Sequence, residues 1–254
     1  MLNGLHNKLS LNIDKTHFML FRRRRTNVIL STDLVIKGVV ISRVEHTKFL
    51  GVFIDSTLTW SKHIQYMKGK IARGIGILCK GRKFFTDETL VTMFNSFVYP
   101  YLTYCIEVWG NTYTTYLNPI TLLLKRAVRV IKGCKRQAHT TPLFQNLKIM
   151  NLAETYVYFV QLFMFKWNNC LLPTIFRDSF TRNSTIHEYN TRQHDLLHVP
   201  ICNYDIRKRA VRFTGVRIMN YLHREIDYKC SIHTYKKHLK NFILSHDVTN
   251  LVAS

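Results

Sequence analysis

Acid is what this sequence has least of. Asp and Glu together number 15, against 37 Lys and Arg, and the formal net charge is +22. The acids are scattered, with no Asp-Asp pair, and the only adjacent acids are Asp87 and Glu88. Two-metal nucleotidyl transfer needs several carboxylates gathered around its ions, and no motif unites Asp14, Asp33 and Asp55. Glycine-rich phosphate loops of the G-x-x-x-x-G-K-[ST] or G-x-G-x-x-G kind are missing, and so is a G-x-S-x-G elbow. The six cysteines (79, 105, 134, 170, 202 and 230) lie far apart, with no C-x-x-C and no zinc-ligand spacing. The opening "MLNGLHNKLS" has no apolar core of a signal peptide. Reduced thiols in an intracellular chain, nuclear or cytoplasmic and not secreted, are therefore expected. Long hydrophobic runs are missing too. The most apolar, "YVYFVQLFMF" at 156–165, is too short to span a bilayer and contains Gln161, so it reads as a buried helix. His63, His139 and His187 each stand alone in sequence and read as structural rather than catalytic histidines.

What is present is a core and a positive charge. Hydrophobic residues make up 46% of the 254 and aromatics 13%, enough to exclude general disorder and to build one large or two smaller domains. The charge is spread along the chain: +10 over residues 1–90, +6 over 91–180 and +6 over 181–254. A basic tail alone does not account for it. An even excess of cations points to a polyanionic partner, of which nucleic acid is the commonest.

Hydrophobic periodicity divides the chain into unlike parts. Residues 1–55 are strand-like: "FMLF" at 18–21 precedes the arginine run Arg22–Arg25, and "LVIKGVVI" at 34–41 places Lys37-Gly38 between β-branched runs, a hairpin signal. "KFLGVFID" reads as a third strand with Gly51 inside it, marking a bulge or a close backbone approach. From Trp60 the period becomes helical, with Trp60, Ile64, Met67, Ile71, Ile75 and Leu78 in one stripe. Lys62, Arg73 and Lys80 lie away from it. "GIG" at 74–76 reads as close helix packing. Thr86 caps a helix reaching about Val98, with Asp87 and Glu88 in its first turn. "YLTYCIEVWG" at 101–110 is at least partly helical. Asn118 as cap and Pro119 at the first helical position predict a helix closed by Gly133. Further helices are predicted over 151–168, 205–222 and 232–244, and loops with one or two short strands over 174–204. The fold class is α+β, mainly α, with a small antiparallel sheet at the N-terminus.

The motifs also occur in a recognisable order. "NKLSLNIDKTHFMLF" (7–21), "KFLGVFIDSTLTWSKHI" (48–64), "FVYPYLTYCIEVWGNTY" (97–113), "LLLKRAVRVI" (122–131), "HTTPLF" (139–144), "HEYNTRQ" (187–193) and "YKKHLK" (235–240) follow one another along nearly the whole chain. This succession resembles the C-terminal part of non-LTR (LINE-type, jockey-like) retrotransposon reverse transcriptases. The resemblance implies a partial palm and primer-grip sheet over 1–58, a thumb-like helical bundle over 59–172 and a basic tail over 173–254. It implies that the catalytic Tyr-x-Asp-Asp lies upstream of Met1, that Mg²⁺ serves the intact family enzyme with no cofactor held by this chain, and that the partner is an RNA/DNA template–primer duplex. Leu50, Gly51 and Val52 would form the grip. Lys62, Arg73 and Lys80 would meet phosphates, and Lys15 matches a lysine that could act as a general acid. Near the tail, "MNYLH" (219–223) keeps Asn220 and Leu222 of a family motif but lacks its Trp and Pro. Two other readings stay open at this point: a basic nucleic-acid-binding protein without chemistry, and a degenerate transposon-derived product.

Overall fold

A computed structural model describes residues 11–23, 34–186, 189 and 192–252. The sequence readings at Asp33, Arg24, Arg25 and His187, and part of "HEYNTRQ", lie outside the described residues. The chain divides into two compact units, Met1–Gln65 and Tyr66–Ser254.

The first unit is built of short strands. A 3-10 turn at Ile13–Lys15 leads into β1 (His17–Phe18), followed by β2 (Val35–Ile36), β3 (Val39–Val40), β4 (Ser42–Arg43), β5 (His46–Phe49) and β6 (Val52–Asp55). Among the described residues these form three separate two-stranded ladders: β1 with β4 in parallel, β2 with β3 and β5 with β6 antiparallel. The expected hairpin is present. Lys37 and Gly38, at φ 50° and 79°, supply the two left-handed positions that a primed turn requires. "KFLGVFID" is corrected: it is a second hairpin rather than one strand, because Leu50 (φ 45°) and Gly51 (φ 86°) both turn left-handed and pair Phe49 with Val52. Gly51 is thus a turn residue, not a bulge.

Helix α1 (Ser61–Gly81) begins in the first unit and continues into the second. Its apolar stripe is buried as the periodicity predicts, with Ile64, Met67, Ile71, Ile75 and Leu78 all withdrawn from solvent. Trp60 does not belong to the stripe. It stands before the helix at φ 62°, half-buried. Gly74 accounts for half of the "GIG" reading, since a Cβ there would lie 2.6 Å from the Phe97 carbonyl oxygen, whereas Gly76 faces open space.

The second unit continues with α2 (Asp87–Phe97), α3 (Tyr99–Thr103), α4 (Ile106–Trp109), α5 (Thr114–Lys132), α6 (Thr141–Leu147) and α7 (Leu152–Asn168). After two 3-10 segments come α8 (Asp205–Lys208), α9 (Val211–Leu222) and α10 (Ile232–Ser245). Thr86 caps α2 as expected, its Oγ1 accepting the Thr89 N–H. The 101–110 stretch is helical but broken where Cys105 turns left-handed. The start of α5 is corrected: the helix begins at Thr114, so Pro119 lies inside it and Asn118 caps nothing. Upstream anchoring extends the helix, since the Tyr113 ring meets Tyr116 edge-on and lies under the Arg209 guanidinium at 4.2 Å. Gly133, at φ 64°, closes it. Over 174–204 the expected strands reduce, among the described residues, to one isolated bridge between Arg182 and Leu197.

Helix α7 is the centre of this unit and packs against α3, α4, α5, α9 and α10. Asn151 and Glu154 close its N-terminus as a reciprocal capping box. At the polar interruption of its apolar run, the Gln161 side-chain oxygen accepts a hydrogen bond from the Tyr228 hydroxyl at 3.0 Å, while its buried Nε2 finds no hydrogen-bond partner among the described residues. Trp109, fully buried, anchors α4 and donates its indole N–H to the Tyr104 carbonyl at 2.9 Å.

Candidate nucleic-acid interface

In the first unit, the hairpin tip is the most exposed apolar feature of the "TKFLGVFIDSTLTWSKHI" segment. Phe49 and Leu50 stand 60% and 75% exposed, with Gly51 exposed beside them. Val52 is buried at the base of the turn, so of the three predicted grip residues only Leu50 and Gly51 present surface. What holds the turn between β6 and α1 is the buried carboxylate of Asp55. Its Oδ1 accepts the N–H and hydroxyl of Thr57 (3.2 and 2.8 Å) and those of Thr59 (2.9 and 3.1 Å), while Oδ2 accepts the Trp60 N–H at 2.6 Å. Leu58 and Trp60 both have positive φ, a strained state for residues with a Cβ. The five hydrogen bonds to one carboxylate offset that strain and set the start of α1.

His63 lies fully buried in the first turn of α1 and accepts the Phe53 N–H on Nδ1 at 3.5 Å. Burial pushes its pKa down to about 4, so it is neutral at physiological pH. A second polar cluster centres on Glu45. It accepts from Ser56 Oγ, from Arg22 at 3.2 Å and from Arg43 at 3.1 Å, and the Ser56 hydrogen bond leads in holding its pKa below the usual carboxylate range. Arg22, the first residue of the arginine run, is therefore tied down as structure.

The remaining predicted residues are scattered. Lys15 is exposed in the 3-10 turn, with Asp14 exposed beside it. Lys62, Arg73 and Lys80 are all exposed on α1. Arg73 and Lys80, seven residues apart, share one helical face in the second unit, and Lys62 stands at the helix start in the first. His139 and Arg192, which lie in two of the resemblance motifs, are exposed; Thr140 and Phe144 take the buried positions of the His139 segment. Mg²⁺, implied by the resemblance, does not fit the donors described: Asp55 is engaged by five donors, and among the described residues no three His, Cys, Asp or Glu side chains gather to hold a metal.

The second unit carries a surface that the sequence reading missed. A cleft of about 1090 Å³ runs between α1 and α5. Five cations line it (Lys68, Arg82, Arg126, Arg129 and Arg136), and none of its lining side chains is acidic. Two of the five are anchored. Arg82 bonds Asp87 at 2.8 Å and packs over Gly133, and Arg129 donates to the Ala138 carbonyl at 2.9 Å. Lys132 also bonds Asp87, at 3.0 Å, and that hydrogen bond is foremost in lowering the Asp87 pKa. Lys68, Arg126 and Arg136 are exposed and form no ion pair with a described residue. A signal was present on α5: Leu122, Arg126, Arg129, Val130 and Gly133 recur at helical spacing on one face. The partner face on α1 could not be paired with it from sequence.

A concave, cation-lined surface without acidic lining, set on a helical bundle, belongs to the class of surface whose field attracts polyanions. The comparisons with known proteins narrow the class. The chain is similar to the "probable RNA-directed DNA polymerase from transposon X-element" of Drosophila melanogaster, 24% identical over 150 residues, which are 58% of this chain and 16% of that protein. It is similar to the "RNA-directed DNA polymerase from mobile element jockey" of Drosophila funebris, 28% identical over 125 residues, 48% of this chain and 14% of the relative. It is also similar to the Drosophila melanogaster protein of that name, 27% identical over 137 residues, 52% and 15% respectively. The motif resemblance to jockey-like reverse transcriptases therefore stands, over about half of the chain. The chain spans about a sixth of the length of these curated relatives. No protein-family model and no solved structure matches it.

Proposed function

We propose that this chain is a nucleic-acid-holding segment of a non-LTR retrotransposon reverse transcriptase, contributing grip on a template–primer duplex. The observation that carries the reading is the acid-free cationic cleft in a chain similar to RNA-directed DNA polymerases, since a template–primer offers phosphates from both its paired part and its unpaired template. The exposed Leu50–Gly51 tip supports it as well, since a glycine at a turn lets a backbone come close to a strand. The cations Lys62, Arg73 and Lys80 would position phosphates without reading sequence. Lys15 would assist a leaving group only beside a working metal site, so the chain by itself binds and does not polymerise.

A competition assay tests this. The purified chain is expected to prefer a recessed primer–template over a blunt duplex of equal length, and to give no Mg²⁺-dependent primer extension. Equal affinity for both duplexes would favour a generic basic binder, and extension by the chain alone would overturn the binding-only reading.

A further inference from the structure

The α1–α5 cleft differs in kind from an exposed basic face. It is concave, and its volume of about 1090 Å³ is at the upper limit of small-molecule pockets, which run to roughly 1,000 Å³. Beside the cations its lining is apolar, with Pro119, Leu122, Leu123 and Val130. A nucleic-acid duplex is convex and keeps the faces of its bases stacked inside, so it offers phosphates to the cations and little to such an apolar lining. An unpaired strand offers both, with phosphates for the cations and base faces for the apolar surface.

We propose that this cleft holds an unpaired stretch of nucleic acid, RNA or DNA. The proposal rests on the polyanion-binding reading above and assigns a different form of substrate to this site. Lys68, Arg126 and Arg136, free of ion pairs with described residues, meet the phosphates. The anchored guanidinium of Arg129 presents a planar face on which a base can stack. The apolar lining is aliphatic rather than aromatic, so contact with bases is apolar and tolerant of sequence.

Two cysteines provide a direct readout. Cys79 and Cys134 line the cleft, whereas Cys170, exposed like Cys134, lies outside it. An oligo(dT) or oligo(U) of about twelve nucleotides should slow maleimide labelling of Cys134 and leave Cys170 unchanged. The double variant Arg126→Glu/Arg136→Glu, both at exposed positions with melting checked against the parent, should bind either oligonucleotide at least tenfold more weakly. Its affinity for a blunt duplex of about twenty base pairs should change less than threefold. Equal losses for duplex and single strand, or protection of Cys134 by duplex alone, would overturn the proposal and leave the template–primer reading in place. Failure of the parent chain to bind any nucleic acid would overturn both.

Discussion

The two units of the chain are held together by different means. In the first, among the described residues, the strands are two to four residues long and few apolar side chains are buried; order comes from carboxylates, with Asp55 and Glu45 each gathering several donors. In the second, order comes from apolar helix faces closing around α7, with Trp109, Phe94, Tyr156 and Phe165 nearly or fully buried. The difference teaches where each unit is fragile. A sheet fragment this small buries too little to stand on hydrophobic area, so its conformation depends on a few hydrogen bonds. A helical core spreads its stability over many contacts, so single surface changes there cost little.

The largest effect is expected at Trp109→Ala, which should cost about 3–5 kcal/mol by removing a fully buried aromatic, read by chemical denaturation followed by far-UV circular dichroism. Asp55→Ala comes next, at about 2–3 kcal/mol for stranding buried donors. Hydrogen exchange should show fast amides at Thr59 and Trp60, with helices α5 and α7 unaffected. If protection in α7 fell equally, the units would not be held independently.

The pH dependence should follow His63. Its folded pKa is about 4, against 6.5 when unfolded. Between those values the unfolded chain binds a proton that the folded chain excludes. The stabilisation is complete above about pH 6.5 and is lost as pH falls toward 4, by about 3 kcal/mol in all. His63→Asn, which keeps an acceptor for the Phe53 N–H, should flatten the stability profile across that window. The smallest effect is expected at Asp87→Asn. That ion-pair partner of Arg82 and Lys132 is more than a third exposed, so its loss should cost less than about 1 kcal/mol while loosening one wall of the cleft.

Much of the fold was legible because it is local. The Lys37-Gly38 turn, the Thr86 cap and the stripe of α1 each follow from residues a few positions apart. The misreadings have local causes too. Leu50 is an apolar residue in a left-handed turn position, which carries no turn signal, so two strands read as one. Pro119 imitates a helix start, but aromatic packing at Tyr113 moves that start upstream. Asp55 reads as an isolated acid because its role shows only once Thr57, Thr59 and Trp60 fold back on it. Asn220, a resemblance residue without a role, proves to clamp Leu197 by two backbone hydrogen bonds of 2.9 and 2.8 Å. The cleft was the hardest to see, because its walls come from helices separated by more than thirty residues.

The central claim is that this chain grips nucleic acid through its phosphates, and a salt titration of its affinity for a recessed primer–template tests that most directly. Each duplex phosphate neutralised contributes about −0.9 to the slope of log affinity against log salt. Engagement of the cationic surfaces predicts a slope of about −3 or steeper; a slope near zero, or no measurable binding at low salt, would contradict the account.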